Sequence, residues 1–362
     1  MPTLHNMKKE KLRLLILPLI FLTVCLSCFS GAFYTTQMLP DQYAYRRWQG
    51  DGTLPFSQIS CFLPGEKKIS LTDVYTFRNA MMTAFRTDSI ESENPYPFLD
   101  CWSTPGSIRV YGDRNSGTAS LQAVGGNFFV FHPLKLVSGS YFSETDLMQD
   151  NILLDEDLAW LLFGGNDLEG MTVHLLDVPF RIAGVVARGN DYASQKAYTA
   201  GMGLYMSYDA FLSISAEDAG IGITCYEACI PNPVKGYAKK LADEKFPIGT
   251  GLILENTHRF SFWNLLRIVK DLPARSIHDG PSLPYWENAA RYAETSAALL
   301  LLVGLLTGLV PLVAAVRLLL TGGRKAKEKL EDEVLPAWGE RAEEAVRVQQ
   351  RRRWEKRQER NK

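Results

Sequence analysis

Metal or nucleotide chemistry needs particular residue types at particular spacings, and the sequence offers few of them. His5, His132, His174, His258 and His278 are scattered through the 362 residues; they form no HExxH, and no His and Cys stand at metal spacing. Neither a GxxxxGK[ST] phosphate loop nor a GxSxG nucleophile elbow occurs. Asp155-Glu156-Asp157 is an acidic triplet with two readings, a cation site or a helix N-terminus, where negative charge is favoured. These residues point away from an enzyme and call for no cofactor and no bound metal.

What the chain does carry is two long uncharged apolar runs, Leu14–Tyr34 and Thr295–Val316. Each approaches the roughly 20 residues a helix needs to cross a bilayer. Neither contains an Asp, Glu, Lys, Arg or His, which argues against an ion pathway. Lys8, Lys9, Lys11 and Arg13 precede the first run, and Arg317, Arg324, Lys325, Lys327 and Lys329 follow the second. Basic residues on both outer flanks place both termini in the cytoplasm and the intervening residues across the cell membrane.

The charge distribution agrees. Residues 1–13 hold four Lys/Arg against one acid, residues 317–362 fourteen against nine, and the middle 21 against 30. The overall balance of −1 thus hides two basic ends, suited to the anionic cytoplasmic leaflet of the lipid bilayer, and an acidic centre. Arg351–Arg353 sits in a tail interleaved with Glu and reads as a solvated helix face, so no nucleic-acid partner is expected. The first run also has a signal-peptide reading, with small residues at Ser30-Gly31-Ala32, but it is longer than the usual signal core.

The division expected is a cytoplasmic N-terminus (1–13), a first transmembrane helix (14–34), an extracytoplasmic domain (35–294), a second helix (295–320) and a charged cytoplasmic tail (321–362). Gly304-Leu-Leu-Thr-Gly308 has the GxxxG spacing that brings helix backbones close. It is read as a helix-packing face for a second permease copy or a partner permease, or else as incidental. Tyr285, Trp286 and Tyr292 are expected at headgroup level. An exported domain permits disulfides. Cys61 and Cys101, in segments read as irregular, are the candidate pair; the alternative is that Cys61, Cys101, Cys225 and Cys229 are all free thiols. Cys225 and Cys229 share one face of a strand, too far apart to bond.

Between the runs, Val74, Phe77, Met81 and Phe85 recur at helical intervals and predict a helix over 71–85, capped by Thr72 or Asp73. Asn94, Pro95, Pro97 and Pro105 predict a loop over 89–106. Strands are expected at 107–111, 119–124, 151–154, 171–176, 180–186 and 223–230, with helices at 156–163 and 234–245. This mixture argues for an α+β extracytoplasmic domain between two transmembrane α-helices.

From Val124 to Val186 the order of motifs resembles a known family. Gly126-Asn-Phe-Phe129, Pro133-Leu-Lys-Leu-Val-Ser-Gly139, Tyr141-Phe-Ser-Glu-Thr-Asp146, Asn151-Ile-Leu-Leu154 and Ala159-Trp-Leu-Leu-Phe-Gly-Gly165 lead to Leu168-Glu-Gly170, Val173-His-Leu175 and Phe180-Arg-Ile-Ala-Gly-Val-Val186. The series resembles the periplasmic core domain of MacB-type ABC transporter permeases, within the wider FtsX-like group. The resemblance implies a permease-like component that transmits or receives conformational change driven by a separate ABC ATPase subunit. Such permeases have a further helix pair after the second, whereas the residues after Val316 here are polar, so a chain of this kind is expected to work with additional subunits. The alternative is a non-transporting membrane-anchored scaffold or sensor whose ectodomain binds an extracellular protein or peptide.

Overall fold

The computed structural model describes residues 4–329 except 65–66, 93, 144, 198–202, 217–219, 247–250 and 272–282, together with 332, 338–339, 341–349 and 351. His278 and about half of the tail, including Arg352 and Arg353, lie outside the described residues. In chain order the elements are α1 (Leu4–Gln37), a 3-10 turn (Pro40–Tyr43), α2 (Ala44–Gln49), β1 (Phe56–Phe62), α3 (Leu71–Thr87), β2 (Leu99–Tyr111), β3 (Ser116–Gly126), α4 (Phe128–Phe131), β4 (Lys135–Gly139) and β5 (Asn151–Asp155). There follow α5 (Glu156–Leu162), β6 (Thr172–Leu175), β7 (Val178–Ala187), α6 (Tyr192–Ala197), β8 (Gly203–Ser207), α7 (Tyr208–Ile214), β9 (Cys225–Pro231), α8 (Tyr237–Lys245), β10 (Leu252–Glu255), α9 (Phe262–Asp271) and α10 (Tyr285–Lys329).

The chain forms two compact units, Met1–Phe29 with Leu302–Lys362, and Ser30–Leu301. Among the described residues two helices are long and apolar enough to cross a membrane, over Ile16–Gln37 and Tyr285–Arg324. The boundary expected between residues 294 and 295 falls inside α10. Its first turns, Tyr285–Glu294, are polar but rich in Ala, Glu and Arg, good helix formers without a breaker, so the helix simply continues into the apolar run.

In the unit Ser30–Leu301, the strands among the described residues form one mixed sheet in the order β10-β1-β9-β2-β3-β8-β5-β7-β4, with β6 bridging β2 and β7. Three apolar groups fill it. One lies beneath α3 and α8 around Phe77, Tyr226 and Phe246. A second gathers around α5 and includes Leu158, Leu162, Phe163 and Val185. The third, around Phe128, Phe131, Cys101, Cys229 and Trp286, draws in the start of α10.

Local sequence explains most of these elements. Helix α3 follows the expected apolar stripe, with Val74, Phe77, Met81 and Phe85 buried, but its cap is Ser70, in a capping box with Asp73. Asp155 caps α5 by accepting from the Leu158 amide, so the acidic triplet opens a helix. The β6–β7 hairpin turns through Leu176 and Asp177, both with positive φ. Two glycines of the family-like motifs are structural necessities. Gly126 has φ +65°, and a Cβ there would lie 2.7 Å from the Asp100 carbonyl oxygen; Gly139 has φ +71°, and its Cβ would meet the Ala183 carbonyl oxygen at 2.1 Å.

Pro105 does not break the chain as expected. It lies inside β2, paired to Gln122 of β3, in the stretch between the β9 pairing (ending at Ser103) and the β6 pairing (starting at Val110). With a neighbour on one side only, that stretch has the edge setting in which a missing N–H is tolerated.

Candidate functional site

The polar residues that are most deeply buried gather where the ends of the two long helices enter the core domain. His132 follows the single turn of α4 and is completely buried. Its Nδ1 lies 2.8 Å from Asp41 Oδ1, in the turn after α1, and its Nε2 lies 2.5 Å from Glu227 Oε2, in β9. The other oxygen of Glu227 accepts from Ser60 Oγ at 2.6 Å, and Ser60 Oγ in turn accepts from Asn256 Nδ2 at 2.7 Å. Gln58 ties in the turn again, donating to the Asp41 carbonyl and accepting from the Ala44 amide. Burial works against charge on His132, but Glu227 and Asp41 outweigh it and raise the imidazole to about 9. It is therefore an imidazolium held between two carboxylates.

A second buried cluster lies at the start of α10. Arg259, in the loop before α9, donates to Glu287 through two nitrogens at 2.7 and 3.0 Å, to Glu294 at 2.7 Å, and to Gln42 beside Asp41 at 3.0 Å. Arg291 adds a bond to Glu287 at 3.0 Å. Burial opposes the Arg259 charge, yet the two carboxylates raise its pKa above the ordinary arginine value. Glu287 and Glu294 are seven residues apart, two helical turns, and so share the face of α10 that meets Arg259. Among the described residues two cations face two anions, and the bidentate geometry orients Arg259 on Glu287.

Trp286, which precedes Glu287 in the chain, is 1 % exposed, and its ring lies 4.1 Å from that of His132 and 5.7 Å from that of Phe128. Trp286 is therefore a core residue rather than the headgroup anchor the sequence suggested. An apolar helix flank leads to that expectation because a buried aromatic and an interfacial one look alike in sequence.

The cysteine pairing expected between Cys61 and Cys101 does not occur, and all six cysteines are free. Both sit in strands, with β9 between them: Cys61 pairs with Tyr226 and Cys101 with Glu227. They are thus about 9–10 Å apart across the sheet and point to opposite faces, beyond the reach of a disulfide. Cys225 and Cys229 lie in β9 on one face, as expected. Burial, then Glu227, pushes the Cys101 thiol well up.

Cys101, His132 and Glu227 bring one possible ligand atom each to within 4.8 Å of one another, a grouping invisible in the linear sequence. Both nitrogens of His132 are engaged by carboxylates and the Cys101 sulfur is a protonated thiol, so the residues as placed form a hydrogen-bonded clamp. Gly304 and Gly308 are placed against α1 of the same chain. A Cβ at Gly304 would lie 3.3 Å from Cys28 Cβ, and one at Gly308 would lie 3.1 Å from Cys25 Sγ. That close approach fills, within one chain, the face expected to meet another copy.

The clamp residues were missed because single acids in apolar segments carry no motif. The available signal was Glu227 inside the buried run Cys225–Pro231, and Glu287 with Glu294 at a seven-residue interval. A buried charge needs a partner.

The chain thus carries an α+β core domain attached to two long apolar helices. Residues 60–224, a little under half of the chain, match the family described as the MacB-like periplasmic core domain. Among curated relatives, the macrolide export ATP-binding/permease protein MacB of Aggregatibacter actinomycetemcomitans is 34 % identical over 82 residues, which span 22 % of this chain and only 13 % of that protein. Among solved structures, the periplasmic region of MacB from Actinobacillus actinomycetemcomitans is 19 % identical with a TM-score of 0.38, covering 64 % of this chain and 98 % of that one. The extracellular domain of the noncanonic ABC-type transporter YknZ from Gram-positive bacteria is 11 % identical with a TM-score of 0.37, covering 55 % and 99 %.

Proposed function

We propose that the chain is the permease-like component of an ABC system of the MacB/FtsX type. It would be a two-pass protein of the cell membrane with both termini cytoplasmic, and its ectodomain would receive or transmit a conformational change powered by a separate ATPase. The observation that carries this reading is the buried attachment of Arg259 to Glu287 and Glu294. Removing one member of such a group leaves a buried charge uncompensated, at a cost of roughly 3–5 kcal/mol. A displacement of α10 is therefore handed to the loop that carries Arg259 and, through Gln42, to the turn after α1.

The MacB-like domain at residues 60–224 supports the reading, as does the description of a relative as an ATP-binding/permease protein. With no GxxxxGK[ST] motif in the sequence, ATP hydrolysis is assigned to another subunit. The role proposed is mechanical rather than enzymatic, without a cofactor, and a second copy or partner permease completes the membrane unit. Purification from native membranes in mild detergent should recover an ABC ATPase with the chain. Recovery of an extracytoplasmic protein without an ATPase would support a scaffold or sensor and sink the proposal.

A further inference from the structure

Helix α9 packs Leu265, and less deeply Leu266, Ile268 and Val269, against Ala32 of α1 and Ala297, Ala298 and Leu301 of α10. Those partners belong to the ends of the two apolar runs that adjoin the core domain, so α9 lies at the depth where each run begins. Its other side is unlike an ordinary soluble surface. Trp263, Arg267 and Lys270 follow one another at i, i+4 and i+7, hence on one face, and all are exposed. Trp263 is 74 % exposed and Phe262 45 %, a large apolar area to leave in water.

The same level carries further exposed aromatics. Ala32, which α9 covers, is followed directly by Phe33 and Tyr34, exposed by 68 % and 64 %. Leu299 of α10, beside the covered Ala298, is also exposed. The outward side of α9 thus lies at the same level as exposed apolar side chains of both runs. Aromatic rings together with cations at the mouth of a span are the chemistry of a lipid headgroup region.

We propose that α9 is an interfacial helix seated on the outer leaflet of the bilayer, with Phe262 and Trp263 at the boundary between headgroups and acyl chains and Arg267 and Lys270 on lipid phosphates. The proposal rests on reading α1 and α10 as membrane helices, and its test separates the two. The full chain carrying Cys28→Ala, which removes the partly exposed thiol, receives one fluorescent label at Phe262→Cys, Leu309→Cys or Leu147→Cys. Leu309 lies in the second apolar run, and Leu147 is fully exposed.

Each variant is reconstituted into phosphatidylcholine–phosphatidylglycerol vesicles, with a nitroxide carried on the acyl chain near the headgroup. A label at 262 should lose about half its emission to the lipid nitroxide and be shielded several-fold from aqueous iodide relative to a label at 147. Quenching at 309 but not at 262 overturns the interfacial seat and leaves the spans standing. Absence of quenching at both positions removes the spans and the inference with them. Shielding of 262 from both quenchers assigns the face to protein and also overturns the proposal.

Discussion

Arg259 and Glu287 meet through two hydrogen bonds, 2.7 and 3.0 Å long, with the carboxylate wholly withdrawn from water. Glu294 approaches the same guanidinium one heptad further along α10. The start of a helix that continues into an apolar span is thereby fixed to the core domain by charge as well as by its alanine stripe, Ala289, Ala290 and Ala293.

Arg259→Met removes the buried cation that Glu287 and Glu294 share and should destabilise the unit Ser30–Leu301 by roughly 3–5 kcal/mol. Adding Glu287→Gln and Glu294→Gln should restore much of that loss, because no buried charge is then left uncompensated on those two side chains. Thermal unfolding of the detergent-solubilised chain reads both effects. An Arg259→Met midpoint equal to that of the unaltered chain would show that the clamp contributes nothing.

His132 has a folded pKa of about 9, above its ordinary 6.5, because the carboxylates of Glu227 and Asp41 outweigh its burial. Its contribution is therefore fully present below about pH 6.5 and is lost as pH rises through about 9, on the order of 3 kcal/mol. Buried thiols such as Cys101 are pushed up by burial and so also favour the unfolded state above about pH 8.5. The difference between the unaltered chain and His132→Asn isolates the imidazole. That difference in stability should shrink from pH 6.5 to pH 10; a difference constant across the range would contradict the clamp.

Cys61 and Cys101 face opposite sides of the sheet, so alkylation of the denatured chain without reductant should modify all six cysteines. Intact mass reads this directly. A mass short by two adducts would restore a disulfide to the fold.

Gly304 lies against Cys28 of its own chain, with the position of an added Cβ 3.3 Å from Cys28 Cβ. That separation is close to the mean of about 3.8 Å between Cβ atoms in disulfides. Oxidation of Gly304→Cys in native membranes should therefore yield an intrachain bond to Cys28 and a monomer on a non-reducing gel. A band at twice the mass would return the glycine face to contact between copies.

The sequence made some of this legible and hid the rest for physical reasons. Periodicity alone located α3, since its stripe Val74, Phe77, Met81 and Phe85 is the buried face. The strands β6 and β7 were visible because their β-rich runs, expected at 171–176 and 180–186, stand on either side of Asp177. Local signals failed where tertiary pairing decides. Pro105 reads as a breaker until β3 is known to lie beside it and β9 to have ended. His132 and Glu227 are separated by 95 residues and meet because α4 folds onto β9, which no local spacing encodes. Trp286 reads as an interfacial aromatic until His132 is found beneath it.

The central claim is that the core domain is held across the membrane between two spans with both termini inside. Labelling of intact cells with a membrane-impermeant maleimide tests it most directly, using Cys28→Ala as the background. Ser116, exposed at the start of β3, and Val348, exposed in the tail, are each replaced by Cys in turn. The account predicts strong labelling at 116 and none at 348 until the cells are opened. Labelling at 348 in intact cells with silence at 116 would contradict it.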